Sequence, residues 1–189
     1  QQHPDLVNVK NTAPDLLFNS RFGELCRIFS FLTKGKTSDV KKRIRTILRI
    51  DDPLDILDKK TKDGTYLYEE SEKIYKIYRD LLQRALAVRP SGKLIVFLYT
   101  STDLSLTSDL SNELLYKNPG NVILVGREKD GDVRISLRSD TLMLDTLLKN
   151  ILHHVRGYGG GHRYAVGANV KKEDFPLFVE LLQKEISLE

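Results

Sequence analysis

The first half of the chain has apolar residues at helical spacing. One set, at i, i+3, i+4 and i+7, consists of Leu25, Ile28, Phe29 and Leu32. We expect Gly35 to end that helix and Ser38 to cap the next. The buried face of that second helix is predicted to consist of Val40, Ile44, Ile47 and Leu48. After a short helix at Asp52-Pro53, a long helix is expected from about Tyr68 to Ala87.

The second half changes to short apolar runs that are typical of strands. Residues 93–100 and 121–127 are continuous runs expected of buried strands, and residues 133–138 alternate as a half-exposed strand does. Residues 129–132, Lys-Asp-Gly-Asp, predict a hairpin turn. Helices are expected around residues 110–115, over 141–155 and after Asp174, and a further strand over 163–170.

The order β-α-β-β-α-β-α predicts an α/β fold with a mixed sheet, preceded by a helical segment. The sequence Arg89-Pro90-Ser91-Gly92 breaks the long helix and sets the expected boundary. We therefore expect a helical region over 1–90 and an α/β domain over 93–189.

Composition narrows the class of protein only slightly. The formal net charge of the 189 residues is +4, which permits binding to nucleic acid without requiring it. The longest apolar run, Leu94 to Tyr99, is too short to cross a membrane, so no membrane partner is expected. The single cysteine, Cys26, excludes an intrachain disulfide and favours a reducing, cytoplasmic setting.

The candidate chemistry lies in the segment Gly159-Gly160-Gly161-His162-Arg163. One glycine suffices to end a helix, so three in succession suggest a loop whose backbone N–H groups face an anion. His162 and Arg163 would add hydrogen-bond donors at the same place. The alternative from the residues alone is a plain flexible connector between a helix and a strand.

These residues carry a family resemblance. The run from Gly159 to Ala168, GGGHRYAVGA, resembles the GGGHxxAxG signature of the DHH-associated domain, found in DHH phosphoesterases such as RecJ and the nanoRNases. Residues 135–139, Ile-Ser-Leu-Arg-Ser, are similar to the S-x-R-S pattern of a family strand. The resemblance covers about residues 93–189 and implies that the GGGH segment and Arg138 contact a substrate phosphate.

In this family, catalysis belongs to a separate domain whose D-H-H motif holds two Mn²⁺ or Mg²⁺ ions. The sequence contains no D-H-H, so we expect no catalysis and no cofactor in this chain, with Mn or Mg required only if a DHH domain lies upstream. The histidine pair His153-His154 is interpreted as an ordinary helix end. The sequence Gln1-Gln2-His3-Pro4 stands about where D-H-H-P would fall and is either a decayed metal site or unrelated sequence.

Two functions follow from the resemblance. The first is a noncatalytic RecJ-like factor of DNA replication or repair that binds single-stranded DNA or RNA, with GINS and replicative helicase proteins as candidate partners. The second is the substrate-binding half of an active single-strand exonuclease or oligonucleotidase. A tRNA-linked role is a weaker third, because the related domains of alanyl-tRNA synthetases typically lack the histidine pattern.

The first half offers two further candidates for nucleic-acid contact. The helix after Ser38 has a basic face of Lys41, Lys42, Arg43, Arg45 and Arg49, for which a solvated helix surface is the favoured interpretation. Four tyrosines, Tyr66, Tyr68, Tyr75 and Tyr78, are able to stack bases. For Tyr75 and Tyr78 their helical spacing favours a place in the core.

Overall fold

The computed structural model describes Leu6, residues 12–101 and residues 103–188. Its contacts divide the chain into two compact units, of which the first ends at Arg79 and the second begins at Asp80. Among the described residues, no helix combines the length and the apolar character that crossing a bilayer requires.

The first unit is helical, as the spacing of its apolar residues predicts. Its helices are α1 (Ala13–Asn19), α2 (Arg21–Leu32), α3 (Thr37–Ile47), α4 (Leu54–Leu57) and α5 (Lys62–Leu86), the last of which continues into the second unit. Four buried side chains, Ile28, Leu32, Ile56 and Leu67, form a core between α2, α4 and α5. Tyr78 is also buried, in agreement with its expected place in the core.

For α3 one prediction was wrong and a second was only partly right. The helix begins at Thr37 with no side-chain cap, and Ser38 lies inside its first turn with its hydroxyl directed at Asp39. The side chains that α3 buries fully are Arg43 and Thr46. Of the predicted face, Ile47 packs half-buried against the core and Val40 is half-buried. Ile44 is 41% exposed, and Leu48, which follows the helix, is 79% exposed. Arg43 tolerates burial because its Nε donates to the Asp39 carbonyl and its guanidinium lies near Glu70.

The basic face of α3 is correspondingly broken up. Arg43 turns inward, and Arg49 donates from Nε and Nη2 to the carboxylate of Asp63 at 2.7 and 3.0 Å. The Lys42 ammonium lies 5.0 Å from the centre of the Tyr66 ring. These pairings favour the interpretation of this surface as a solvated helix face.

The second unit is an α/β sandwich. Its elements are β1 (Leu94–Thr100), α6 (Thr107–Lys117), β2 (Val122–Lys129), β3 (Asp132–Arg138), α7 (Leu144–Leu152), β4 (Gly157–His162), β5 (Ala165–Lys171) and α8 (Phe175–Ser187). The sheet order is β1-β2-β3-β5-β4, with β1 and β2 parallel and the other neighbours antiparallel. The expected mixed sheet is confirmed. The hairpin turn between β2 and β3 is confirmed as well, with positive φ at Asp130 and Gly131.

The sheet packs a different layer on each face. On one face α7 and α8 bury a large apolar core that includes Leu137, Val166, Leu148 and Phe178. On the other face α6 covers β2 and β3, where the hydroxyls of Ser111 and Ser136 lie 2.9 Å apart. The part of this second face beyond α6 we call the open face; it carries exposed residues of β3, β5 and β4.

The glycine segment is a strand, so the loop expected there was wrong. Residues 157–162 pair along their whole length with β5, which adds a strand to the predicted order. Glycine makes this pairing possible, because a Cβ at Gly159 would lie 2.5 Å from the Gly167 carbonyl oxygen. A run without side chains carries no alternating pattern from which a strand is recognised.

Candidate functional site

Strand β4 forms an exposed edge of the sheet. All six of its residues, Gly157–His162, are exposed. The Lys171 amide donates to the Arg156 carbonyl at 2.9 Å, which sets the phase of the β4–β5 hydrogen bonds. In an antiparallel pair, alternate residues direct their N–H and C=O groups away from the partner strand. The N–H groups of Gly157, Gly159 and Gly161 therefore point outward from the sheet edge.

The fold excludes a side chain at two of the three successive glycines and leaves room for one at the third. A Cβ at Gly159 would lie 2.5 Å from the oxygen of Gly167, and a Cβ at Gly161 would lie 2.5 Å from the oxygen of Ala165. Gly161 also has a φ of +152°, which side chains disfavour. A Cβ at Gly160, in contrast, would have no neighbour within 4 Å. The fold therefore requires glycine at 159 and 161, but not at 160.

Strand register places the candidate residues in rows across the open face. Residues opposite one another in paired strands lie on the same face of a sheet. Three neighbouring rows result, Arg138–Ala165–His162, Ser136–Gly167–Gly160 and Arg134–Asn169–Tyr158. The middle row has no side chain on β5 or β4, so it forms a bare floor between two polar rows.

Arg138 is a half-buried cation whose hydrogen bonds to described residues go to neutral oxygens. Its Nε donates to Asn112 Oδ1 at 2.8 Å, and its Nη1 donates to the carbonyls of Leu137 and Val166. Burial lowers the pKa of Arg138 below the usual value for arginine. Within the described ranges no Asp or Glu forms an ion pair with it. A charge removed from water in this way is stabilised by an anion that binds beside it.

The predicted site residues therefore separate into three places. Arg138, Gly160 and His162 share the open face, while Gly159 and Gly161 present amides at the sheet edge. Arg163 lies in the turn between β4 and β5, where its guanidinium is 5.4 Å from the centre of the Tyr164 ring. Its carbonyl accepts from the Leu144 amide at 2.7 Å. Arg163 is thus at the end of the site, beyond the three rows.

The two serines near Arg138 have structural roles. The Ser136 hydroxyl pairs with Ser111 beneath α6. The Ser139 Oγ accepts from the amides of Thr141 and Leu142, which fixes the turn that leads into α7. Of the Ser-x-Arg-Ser residues, only Arg138 has side-chain atoms toward the open face.

The start of β4 is held by an ion-pair cluster. Arg156 donates from its amide and from Nε to Asp174, both at 2.8 Å, and from Nη2 to Glu173 at 2.6 Å. These hydrogen bonds from Arg156 lower the pKa of Asp174 to about 2. The cluster fixes the position where the glycine strand enters the sheet.

Sequence reasoning missed the third row of the open face. Tyr158 is 72% exposed, and its hydroxyl accepts from Asn169 Nδ2 at 3.4 Å. Asn169 Nδ2 also donates to Asp132 at 2.9 Å, and Lys171 donates to the same carboxylate at 2.6 Å. Recognising residues 157–162 as a strand would have placed Tyr158 beside Gly160 on one face.

The described residues do not offer the donor set of a divalent metal site. No group of three or more His, Cys, Asp or Glu side chains comes together in the ranges that the structure describes. Asp132, beside the open face, is already occupied by Lys171 and Asn169. Gln1-Gln2-His3-Pro4 lies outside the described residues.

Comparison with known families gives one match. Residues 92–188, about half of the chain, match the model of the DHHA1 domain. The matched range contains the whole sheet, the three rows and the ion-pair cluster at Arg156. Among curated proteins, no sequence matches the chain.

Solved structures with a similar fold include RecJ and a phosphodiesterase. RecJ from Thermus thermophilus in complex with Mg²⁺ aligns with a TM-score of 0.66 and 17% identity, over 93% of this chain and 26% of RecJ. The pGpG-specific phosphodiesterase from Vibrio cholerae aligns with a TM-score of 0.58 and 14% identity, over 95% of this chain and 64% of that one. The chain thus spans about a quarter of the length of RecJ, and at these identities the likeness concerns the fold.

Proposed function

The chain belongs to the DHHA1 domain family, and on that premise we propose that it binds single-stranded nucleic acid through Arg138, Gly160 and His162. A backbone phosphate lies over the bare floor at Gly160 in this proposal. Arg138 on one side supplies a permanent positive charge, and the His162 imidazole supplies a hydrogen-bond donor. The outward amides of Gly159 and Gly161 bind a neighbouring phosphate oxygen at the sheet edge.

The observation that carries this proposal is the state of Arg138. Several cations of the second unit have a carboxylate partner, for example Arg156 with Asp174 and Lys171 with Asp132. Arg138 is half-buried, and among the described residues its hydrogen-bond partners are neutral oxygens. Since the guanidinium fork fits phosphate oxygens, an anionic ligand on the open face would complete its contacts.

The glycine at position 160 is a second observation that supports the proposed phosphate contact. The fold leaves room for a side chain there, so packing within the protein does not explain why this residue is glycine, and a bound ligand would. A phosphate that approaches the backbone closely is such a ligand, because a side chain at this position would hold it away.

The proposal extends to a noncatalytic role in DNA replication or repair, in the cytoplasm. Partners such as GINS or a replicative helicase belong to this part of the proposal. Its support is the RecJ-like fold, together with Gln1-Gln2-His3-Pro4 at about the position of a D-H-H-P motif. The amides of glutamine are poorer ligands for hard cations than carboxylates are.

A second function is favoured by one observation. The chain aligns with only 26% of RecJ, which fits a substrate-binding part of a longer exonuclease or oligonucleotidase. In that case the same open face would hold the strand, and the metal ions Mn or Mg would be held by other residues.

Fluorescence anisotropy with labelled oligonucleotides tests both functions. The expected result is binding of single-stranded DNA or RNA that weakens as salt rises, with weaker binding of duplex DNA. His162→Ala and Arg138→Ala should each reduce the affinity, while Lys184→Ala, which removes an exposed charge on α8, should not. Absence of binding at low salt would overturn the proposal.

The gene upstream of residue 1 separates the two functions, because both predict binding without digestion by this chain alone. A D-x-D and a D-H-H motif encoded there support the second function, and a reading frame without them supports the noncatalytic role. Mn²⁺-dependent digestion of the oligonucleotides by this chain alone would contradict both functions as stated.

A further inference from the structure

Tyr158 is held in a defined position although it is not part of a core. Its side chain is 72% exposed, and its neighbours in β4 are Gly157 and Gly159, which have no side chains to cover it. The hydroxyl accepts from Asn169, whose amide is fixed by Asp132. An exposed aromatic ring that the fold orients in this way presents a free face for stacking.

A cleft lies beside the ring. It has a volume of about 210 Å³ and is lined by Tyr158, Asn169, Lys171 and Arg156, among others. Its charged groups are paired, Lys171 with Asp132, which also lines the cleft, and Arg156 with Asp174. The cleft therefore offers a planar aromatic surface beside neutralised charges. Among the described residues Asn169 Oδ1 has no hydrogen-bond partner, so it adds one acceptor at the edge of the cleft.

The distance between Tyr158 and Gly160 along β4 suits a nucleotide whose phosphate lies over Gly160. Tyr158 and Gly160 are two residues apart in one strand and lie on the same face, about 6.8 Å apart. A sugar spans a comparable distance between a phosphate and its own base. A strand whose phosphate lies over Gly160 therefore brings a base to the ring of Tyr158.

We propose that Tyr158 is a stacking platform for a nucleobase of the bound strand, a base subsite beside the phosphate subsite. This inference rests on the proposed binding of single-stranded nucleic acid at Gly160. Every base has a flat π-face, so stacking on Tyr158 contributes affinity with little preference for sequence. The aromatic ring is the essential part, and the hydroxyl serves to orient it.

Paired oligonucleotides test the platform. One is a short thymidine strand and the other is an abasic strand with the same number of phosphates. Tyr158→Ala should weaken binding of the thymidine strand roughly ten-fold, as the loss of one stacked base does, and leave the abasic strand unchanged. Tyr158→Phe keeps the ring but loses the hydrogen bond that orients it, so it should weaken binding of the thymidine strand less than Tyr158→Ala does and leave the abasic strand unchanged. Melting curves of both variants confirm that the fold is retained.

The outcomes distinguish this inference from the proposed function. If His162→Ala weakens both strands while Tyr158→Ala weakens neither, the platform is refuted and the phosphate site stands. If Tyr158→Ala weakens both strands equally, Tyr158 has no role in recognising a base. If the parent chain binds neither strand, both proposals fail together.

A tryptophan reporter gives a second measurement. The chain contains no tryptophan, so Tyr158→Trp introduces a single one at the platform. Saturation with the thymidine strand should quench its fluorescence, and saturation with the abasic strand should not. The matched control is Leu188→Trp, because Leu188 is also exposed, at 75%. Leu188 follows the C-terminal end of α8, about 20 Å along the helix axis from Phe175, where α8 begins. Stacking is contradicted if the thymidine strand quenches the fluorescence of both variants equally. It is also contradicted if the thymidine strand does not quench the fluorescence of Tyr158→Trp.

Discussion

Gly160 and Gly167 lie opposite each other in β4 and β5, and both leave room on the open face. A Cβ at Gly160 would meet nothing within 4 Å, and a Cβ at Gly167 would lie 3.6 Å from the nearest atom, the Ile135 oxygen. Neither residue has the positive φ that requires glycine. This pair of glycines makes the floor between Arg138 and Tyr158 accessible to a ligand backbone.

Substitutions at adjacent glycines should separate folding from binding. Gly160→Val should keep the stability of the parent chain, because the new side chain enters open space in a strand. It should nevertheless abolish most oligonucleotide binding by covering the floor. Gly159→Ala should lower the free energy of unfolding by about 1–3 kcal/mol, because its Cβ conflicts with the Gly167 oxygen. Thermal melting and anisotropy measure the two effects, and full binding by Gly160→Val would exclude a ligand at the floor.

Loss of the Arg138 charge should change the salt dependence of binding. Arg138→Ala removes one phosphate contact, so the slope of log affinity against log salt should decrease by about one. Lys184→Ala changes the net charge equally and should leave the slope as it is. A titration series over several salt concentrations provides the measurement, and equal slopes for Arg138→Ala and the parent chain would contradict direct phosphate contact.

Acid should remove the stabilisation that Asp174 provides at the start of β4. Hydrogen bonds from Arg156 lower the pKa of Asp174 to about 2, below the value of about 3.9 for an unfolded chain. Its contribution is therefore complete well above pH 4 and is lost as the pH falls through about 2. Asp174→Ala should lower the melting temperature at pH 6, and the difference from the parent chain should shrink toward pH 2. Glu180→Ala, on the exposed side of α8, should show no such pH-dependent gap.

The burial of Arg43 and the exposure of Leu48 predict unequal effects of two substitutions. Arg43→Ala should lower the free energy of unfolding by about 1–3 kcal/mol, because Arg43 is 4% exposed and its guanidinium contacts Asp39 and Glu70. Leu48→Gln should change it by less than about 0.5 kcal/mol, since Leu48 is 79% exposed. Denaturant unfolding measures both, and a larger loss for Leu48→Gln would contradict the observed orientation of α3.

Local patterns were sufficient for much of the sheet. The apolar runs at 94–100 and 122–125 and the Asp130-Gly131 turn identified β1, β2 and the β2–β3 hairpin, because side-chain character and φ preference act over a few residues. In α3 the same method failed. The helical spacing is compatible with several orientations, and the buried pairing of Arg43 with Glu70, 27 positions later, is not visible locally.

The sequence by itself determined the family and supplied the residues of the candidate site, because the GGGH run and the Ser-x-Arg-Ser pattern are contiguous in the chain. Only the tertiary structure decided how those residues combine. Arg138 and His162 share a row because each lies opposite Ala165 in its own strand pair, and such a register depends on contacts distant in sequence. The pairing with β5 also determines that Gly159 and Gly161 serve the fold, whereas Gly160 is left open to a ligand.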